Sequence, residues 1–253
     1  MELPGLTNRN REALTSYCTL TSVPLRFTPA GEQEPFRAMI MGQNIQKVEN
    51  LYNTVAAEYA EKFSGEHEKK PKDQEILHRF SQEIVDRRPV WDFGCGPGQT
   101  TKYIQNLGVK ISGLDLSDQI LEQARTIHPE IHFRKGNILD LEFESDSIAG
   151  VVAFYAIVHF TEKQVGIAFR EIFRVLQPGG IFLFTYHIGE ETIHLDEFLG
   201  KKIDIDFMFF STDFILSCLK DSGFNKIEII ERDPYTDVEY ESRRAYVFCN
   251  KAG

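Results

Sequence analysis

The sequence predicts an α/β fold in which a mostly parallel sheet carries helices on both faces. Short apolar segments alternate with amphipathic segments through the middle of the chain, and a glycine-rich turn follows the first apolar segment. Strands are expected at residues 90–93, 110–114, 131–134, 148–154 and 181–186. Helices are expected between them, at residues 99–107, 118–127 and 162–176.

The two ends of the chain extend this pattern. Residues 1–40 hold four prolines, no lysine and no sustained periodicity, so we expect a poorly ordered or loosely docked extension before a domain at residues 41–253. Amphipathic helices are expected within about residues 45–86. A long insertion, about residues 187–211, follows the fifth strand. Strands at 226–232 and 243–250, with no helix between them, predict a terminal antiparallel hairpin.

Composition excludes several classes of protein. With 28 basic against 38 acidic side chains the net charge is −10, and no run of basic residues exceeds two, which disfavours a nucleic-acid partner. No apolar run reaches the roughly 18 residues of a membrane span, so no membrane partner is expected. No secretory signal is visible, and the four cysteines form no CxxC pair. We therefore expect free thiols and a cytoplasmic location.

The glycine-rich turn predicts a ligand-binding loop. Gly94, Gly96 and Gly98 follow the first strand at alternate positions, and Asp92 lies two residues before them. Glycines let a ligand approach main-chain N–H groups closely, and the helix that follows directs its amide end to the same place. The spacing departs from the dinucleotide fingerprint, because Gln99 occupies the position of its third glycine, and a phosphate-binding P-loop is absent.

A carboxylate stands at the end of the second predicted strand. Asp115 lies 21 residues after Gly94, close to the roughly 20 expected of an acid that binds ribose hydroxyls in nucleotide-binding α/β folds. Ser117 is suited to cap the helix that follows. The loop and the carboxylate together predict a nucleotide-type ligand at the carboxyl edge of the sheet.

Four segments, DFGCGPG, GLDLS, GNILDL and LQPGG, occur in this order and together resemble the class I S-adenosylmethionine-dependent methyltransferases of the small-molecule type. The resemblance covers residues 45–250. It implies a Rossmann-like sheet of seven strands in the order 3-2-1-4-5-7-6, with the last strand antiparallel. It also implies S-adenosyl-L-methionine as cofactor and S-adenosyl-L-homocysteine as product.

The resemblance also implies roles for individual residues. The glycine loop would cradle the methionine moiety, Asp115 would bind the ribose, and Leu116 would pack on adenine. Asn137 stands where the family commonly has an aspartate that meets the adenine amino group. Two tyrosines of the first helix resemble an aromatic lid. The cofactor-binding residues expected are Tyr52, Tyr59, Asp92, Gly94, Cys95, Gly96, Asp115, Leu116, Ile120, Asn137, Ile138 and Phe154.

Histidines are the catalytic candidates, because the fourth strand would end beside the reacting methyl group. His159 is either a general base or a residue that orients the loop, and His187 is the next candidate. The insertion at 187–211, which also carries His194, would roof the substrate pocket. Phe207, Phe209 and Phe210 would line that pocket or pack in the core. No acidic metal-ligand set follows the fourth strand, so no metal is expected.

The sequence therefore predicts transfer of a methyl group to an O, N or C atom of a small-molecule metabolite. The alternative is a non-catalytic sensor or scaffold that binds S-adenosylmethionine or a nucleotide. A nicotinamide-dependent oxidoreductase is disfavoured by the glycine spacing. Arg243 and Arg244 would bind a substrate carboxylate or form a solvated, salt-bridged edge. The acceptor and the oligomeric state are left open.

Overall fold

The structure, a computed structural model, describes residues 33–253. The extension was predicted for residues 1–40. Residues 1–32 lie outside the described part of the chain, and residues 33–40 belong to the first helix. The six helices of the described residues are α1 (Gln33–Phe63), α2 (Pro71–Ile84), α3 (Gln99–Asn106), α4 (Asp118–Ile127), α5 (Glu162–Val175) and α6 (Thr212–Asp221). A short 3-10 turn, Glu66–Lys69, joins α1 to α2.

Seven strands form one sheet, and two form a separate hairpin, within the described part of the chain. The strands are β1 (Val90–Phe93), β2 (Ile111–Asp115), β3 (Phe133–Lys135), β4 (Ile148–Ala153), β5 (Leu176–His187), β6 (Thr192–Phe198), β7 (Lys201–Met208), β8 (Phe224–Arg232) and β9 (Arg244–Lys251).

The order of the large sheet is β3-β2-β1-β4-β5-β9-β8. The first five strands are parallel to one another, and β9 is antiparallel to both of its neighbours. Because β6 and β7 belong to the separate hairpin, β8 and β9 take the sixth and seventh places of the predicted order. The predicted fold class is confirmed, including the antiparallel last strand.

The chain adopts two features that the strand prediction lacks. The fifth strand begins at Leu176, five residues earlier than expected, because Leu176 pairs with Ile148 before the ladder resumes at the pair Gly150 and Ile181. The insertion after it folds into the antiparallel pair β6–β7. Alternating exposure along β6 and β7 shows that one face of this hairpin, called the roof hairpin here, lies toward the protein.

Helices cover both faces of the sheet. On one face, Ile76, Leu77 and Phe80 of α2 belong to a buried cluster with residues of β1, β4, β5 and β9. On the other face, Phe169 of α5 contacts Phe184 of β5, with ring centroids 5.0 Å apart. Burial on both sides explains why the central strands read as continuous apolar segments. None of the helices within residues 33–253 has the length and apolar character needed to cross a bilayer.

Candidate active site

The glycine loop joins β1 to α3 at the carboxyl edge of the sheet. Gly94, Gly96 and Gly98 have φ angles of 70°, 55° and 88°, a region that side chains disfavour. A Cβ atom on Gly94 would lie 2.6 Å from the Cβ of Ala156, in the loop after β4. The N–H of Gly94 donates to the carbonyl of Leu114 at 2.7 Å. The loop is therefore held tightly between the ends of β2 and β4.

Asp115 ends β2 beside this loop. Its carboxylate accepts hydrogen bonds from the N–H groups of Gly96 and Ser117, both at 2.9 Å. Burial raises the pKa of Asp115, and these two hydrogen bonds oppose that shift. Ser117 caps α4, as predicted, by accepting from the N–H of Ile120. The structure therefore brings the predicted carboxylate and the predicted loop together.

Asp92 and Cys95 lie beneath the loop. Thr101 Oγ1 of α3 donates to Asp92 Oδ2 at 2.6 Å, so the carboxylate ties β1 to the start of α3. Burial raises the pKa of Asp92 to about 7, which leaves it partly protonated at neutral pH. Cys95 packs with Leu121 and Phe133 in a small apolar cluster.

The two lid tyrosines lie over the loop. Tyr52 and Tyr59 meet edge to face, with ring centroids 5.4 Å apart. The ring of Tyr59 lies 3.8 Å from the position that a Cβ would take on Gly96. Both tyrosines pack against the apolar cluster formed by Leu51 of α1 and Ile205 of the roof hairpin, and Leu116 packs against the same cluster. Helix α1 and the roof hairpin thus cover the loop together.

His159 joins these two covering elements. Its Nδ1 lies 2.8 Å from the carbonyl oxygen of Asp206 in β7, so Nδ1 carries the proton and donates it. In the neutral ring Nε2 then accepts, and it accepts from Tyr52 Oη at 3.1 Å. Burial lowers the pKa of His159 to about 4, so the imidazole is neutral at physiological pH.

The remaining cofactor candidates lie around the ends of β2, β3 and β4. Asn137 accepts from the N–H of Leu139 through Oδ1 at 2.9 Å. Ile138 and Ile120 are buried, and Ile138 approaches Gly94, with its Cδ1 3.8 Å from the position of a Cβ there. Phe154 instead faces the core, where its ring packs edge to face on His67 at 5.7 Å.

His187 lies at the end of β5 and contacts residues other than the lid tyrosines. Its ring stacks on Tyr155 and on Phe209, with centroids 4.9 and 5.1 Å apart. Its Nδ1 bonds Ser242 Oγ at 2.7 Å. Burial lowers the pKa of His187 to about 3. His194, by contrast, is exposed and ion-paired with Asp206 of the roof hairpin at 2.8 Å, so it faces outward.

The three phenylalanines of the insertion that were expected near the substrate pocket lie in different places. Phe207 contacts the ring of His159 with centroids 4.5 Å apart, and Phe209 stacks on His187. Phe210 is buried against Phe214 of α6. Two of the three therefore lie beside the catalytic candidates, and the third packs in the core.

A cluster of charged side chains beside His187 was missed by sequence reasoning. It is called the charge cluster here, and its members come from the turn before α2, from α2, from β8, from the loop after β8 and from β9. Ion pairs join these side chains, and several of the pairs are buried. The members are Glu66, Lys70, Asp73, Arg232, Glu239 and Arg244.

Burial is what distinguishes this cluster from a solvated edge. Lys70 and Arg244 are 5% and 3% exposed, and Asp73 is fully buried. Arg243 points the other way, is exposed and pairs with Glu231 at 2.8 Å. The expected salt-bridged edge is therefore right for Arg243, while Arg244 is internal. One feature of the sequence could have separated the two arginines: neighbouring residues of a strand lie on opposite faces, so only one of Arg243 and Arg244 can face the solvent.

A chain of close polar contacts connects the charge cluster to the glycine loop. Thr100, in the first turn of α3, lies 2.9 Å from His67 Nε2 through its Oγ1. His67 Nδ1 lies 3.4 Å from Asp73 Oδ2. Tyr246 donates to Asp73 through its hydroxyl and accepts from Arg232 Nε at 2.7 Å. The two ends of the site thus share one buried polar network.

Comparisons with known proteins agree with this architecture. Residues 90–180, from β1 into β5, match the family described as a methyltransferase domain. This stretch of the chain is a methyltransferase domain. The matched residues include the glycine loop, Asp115, Asn137 and His159.

The domain resembles named relatives over part of their length. It is 33% identical over 125 residues to a probable S-adenosylmethionine-dependent methyltransferase of Mycolicibacterium smegmatis, covering 47% of this chain and 46% of the relative. It is 30% identical over 117 residues to malonyl-[acyl-carrier protein] O-methyltransferase of Enterobacter lignolyticus, covering 44% and 46%. The chain spans about half the length of the curated relatives it matches.

A solved structure supports the fold. The domain superposes on the DhpI–SAH complex with a TM-score of 0.65, over 82% of this chain and 97% of the other, at 17% sequence identity. The similarity extends well beyond the residues of the family match. The shared fold therefore includes elements that flank that match.

Proposed function

We propose that the protein transfers a methyl group from S-adenosyl-L-methionine to an O, N or C atom of a small-molecule metabolite. The observation that carries this proposal is the joint position of Asp115 and the glycine loop. A half-buried carboxylate, which accepts from the N–H of Gly96, stands where three glycines bring the backbone close. This arrangement suits a ligand that has both a ribose and a polar methionine end.

The residues present fit this cofactor. Asp115 would accept the ribose hydroxyls, and the loop from Gly94 to Gly98 would hold the methionine moiety. Leu116 and Ile138 offer apolar contacts for adenine, with Asn137 as a polar neighbour. A Cβ on Gly94 or Gly98 would collide with Ala156 or Phe133, so these two glycines let the loop pack closely on its neighbours, whereas nothing lies closer than 3.7 Å to a Cβ on Gly96.

When bound, the cofactor supplies an electrophilic methyl group on a positively charged sulfur. The aromatic rings of Tyr52 and Tyr59 cover the loop and attract a cation by about 0.5–2 kcal/mol. The lid and the roof hairpin exclude water from the same place. Positioning of the acceptor then supplies most of the rate acceleration, because proximity converts a bimolecular step into an effectively unimolecular one.

His159 acts in this proposal as a positioning residue. Its two nitrogens are engaged by Tyr52 and by the Asp206 carbonyl, so it fastens the lid helix to the roof hairpin. His187 stands closer to the charge cluster and stacks on Tyr155, directly after β4. Burial keeps it neutral, and because its pKa is about 3 it is a weak base, so a general-base role for His187 requires a bound acceptor that raises this pKa.

A small-molecule acceptor is favoured over a macromolecule by charge and enclosure. The net charge of −10 opposes a phosphate backbone, and the roof hairpin and lid leave the candidate histidines buried or half-buried. The alternative, a sensor or scaffold that binds the cofactor without using it, predicts binding without transfer. The cytoplasmic location stays a prediction.

Calorimetry with S-adenosyl-L-homocysteine tests the cofactor site. Asp115→Ala should weaken binding by roughly 1.5–3 kcal/mol, the worth of hydrogen bonds to a charged acceptor. Asp118→Ala is the matched control, because Asp118 is exposed on the next turn and pairs with Lys135. Equal affinity of the Asp115 variant and the wild type would refute the ribose role.

Transfer itself needs a second measurement. Extracts incubated with the protein and isotopically labelled S-adenosyl-L-methionine should yield a labelled small molecule, detected by mass spectrometry. The same incubation with the Asp115→Ala variant should yield far less of it. Tight binding of the cofactor with no labelled product in any extract would favour the sensor alternative.

A further inference from the structure

Buried polar atoms without a hydrogen-bond partner gather beside the charge cluster. Within the described residues five such side-chain atoms occur, and four of them belong to His67, Asp73, Tyr155 and Arg244. His67 Nδ1 and Asp73 Oδ2 face each other at 3.4 Å. Tyr155 Oη and Arg244 Nε remain as two hydrogen-bond donors without an acceptor. Unsatisfied buried donors cost free energy, so their presence together indicates a ligand.

Tyr155 is held at the position where an acceptor would meet the cofactor loop. It follows β4, has a φ of 53°, and its N–H donates to Thr185 Oγ1 at 2.9 Å. The next residue, Ala156, is the one that abuts Gly94. A left-handed backbone is unfavourable for a tyrosine and persists where the surroundings enforce it. This conformation places the ring on His187, beside the charge cluster.

Arg244 reaches the same place from the neighbouring strand. It pairs with His187 in the β5–β9 register. Its Nη1 and Nη2 donate to the carbonyls of Ser242 and Tyr240 at 2.5 and 2.8 Å, which fixes the plane of the guanidinium. Its Nε lies 3.3 Å from Glu239 Oε2 without the geometry of a hydrogen bond. The arginine is thus oriented by its other nitrogens and keeps one N–H for a ligand.

Charge and shape select the ligand. The charge cluster has three cationic and three anionic side chains, so a singly charged group is tolerated better than a dianion. Tyr155 stacks on His187 and Arg244 is paired with His187 across the β5–β9 ladder, so both donors neighbour the same residue and suit the oxygens of a carboxylate. The rings of Tyr155, His187 and Phe209 form a stacked series beside these donors. An aromatic or otherwise flat group attached to the carboxylate would lie against this wall.

We propose that Tyr155 Oη and Arg244 Nε bind a carboxylate of the methyl acceptor. The acceptor is then an organic acid, and this inference rests on the proposed function. Both donor atoms are buried, so the carboxylate reaches them where the side chains that cover them, Lys70 among them, shift aside. Binding satisfies both donors, and it places the acceptor against the loop that contacts Gly94.

The test uses benzoate as the probe and benzamide as its neutral analogue of the same shape. The affinity of each for the full chain saturated with S-adenosyl-L-homocysteine is measured by calorimetry and by the shift in melting temperature, at matched ionic strength. We expect benzoate to bind and raise the melting temperature, and benzamide and inorganic phosphate to do so at least tenfold more weakly. Equal binding of benzoate and benzamide, or stronger binding of phosphate, overturns the carboxylate assignment.

Tyr155→Phe provides the decisive variant, because the hydroxyl that it removes has no partner to lose. We expect its melting temperature and its affinity for S-adenosyl-L-homocysteine to be unchanged or higher. Its affinity for benzoate should fall about tenfold. Arg244→Lys should show the same loss if it folds, while Arg243→Lys, on the exposed face, should bind benzoate like the wild type. If Tyr155→Phe binds benzoate as tightly as the wild type does, the proposed carboxylate subsite is wrong.

The outcome also separates this inference from the proposed function. A protein that binds S-adenosyl-L-homocysteine but not benzoate keeps the methyltransferase proposal and loses the subsite. A protein that binds no S-adenosyl-L-homocysteine loses the proposed function and, with it, the assignment of the carboxylate to a methyl acceptor.

Discussion

The two halves of the site are built in different ways. The glycine loop, Asp92 and Asp115 lie within 24 consecutive residues and meet through main-chain hydrogen bonds. The charge cluster draws on segments from Glu66 to Arg244, and long-range side-chain contacts hold it together. A local motif is specified by spacing and by backbone conformation. A cluster of distant side chains is specified only by the sheet that brings them together.

This difference predicts which substitutions damage each half. In the charge cluster, loss of one charge leaves a buried partner unpaired. In the glycine loop, an added methyl group meets a fixed neighbour. Three predictions follow this contrast, from the largest expected effect on stability to the smallest.

Arg244→Gln should lower the free energy of unfolding by about 3–5 kcal/mol, because Glu239 is then left buried without one of its cations. Arg243→Gln, one residue away on the exposed face, should change it by less than about 0.5 kcal/mol. Urea denaturation of both variants measures the difference. A similar loss of unfolding free energy in the two variants would show that burial of Arg244 does not make its ion pair more important than that of Arg243.

Gly94→Ala should lower the free energy of unfolding by about 2–4 kcal/mol, since a left-handed residue and a crowded core each add to the cost. The control is Gly200→Ala in the β6–β7 turn, where φ is 75° and nothing lies within 4 Å of an added Cβ. That control should cost about 1–2 kcal/mol, from conformation alone. Equal costs, measured by denaturation, would contradict the close approach of Gly94 to Ala156.

His159 should make stability depend on pH. Its folded pKa of about 4 lies below the unfolded value of about 6.5, so the unfolded chain binds more protons between these values. The stability that His159 contributes is complete above pH 6.5 and is lost as the pH falls toward 4, with a slope of about 1.4 kcal/mol per pH unit. His159→Asn should reduce the acid slope of the urea midpoint by about this amount, and His187, whose pKa burial lowers to about 3, should supply the slope that remains.

His194 is the matched control for this titration. Asp206 and Asp196 raise its pKa at the surface of the roof hairpin, so its contribution has the opposite sign and is lost as the pH rises. His194→Asn should therefore leave the acid slope in place. An acid slope in His159→Asn as steep as in the wild type would show that His159 does not titrate as expected and that other groups, such as His187, account for the slope.

Much of the fold was predictable because it follows from periodicity. Alternating strands and helices gave the central sheet, and the resemblance gave its order, which the structure confirms. The early start of β5 was missed, because the pairing of Leu176 with Ile148 across a register shift leaves no mark in local composition. The β6–β7 hairpin was missed although its apolar residues alternate with charged ones, the pattern of a half-buried strand; the insertion was interpreted only as a roof over the substrate pocket.

The site was predictable to the extent that it is local. Gly94, Gly96 and Asp115 meet as expected, because the carboxyl ends of neighbouring parallel strands share one edge of the sheet. The sequence could not decide between a base and a positioning role for His159. That choice depends on Tyr52 and Asp206, which lie 107 and 47 residues away along the chain.

The sequence by itself determined the fold class, the position of the glycine loop and the carboxylate beside it, because these depend on short-range spacing and on residues that a tight turn requires. Only the tertiary structure decided that Lys70 and Arg244 are internal, that Arg243 is not, and that Tyr155 keeps an unpartnered hydroxyl. Burial is a property of what packs around a side chain. The charged residues of a buried cluster and of a solvated surface therefore look alike until the sheet brings distant segments together.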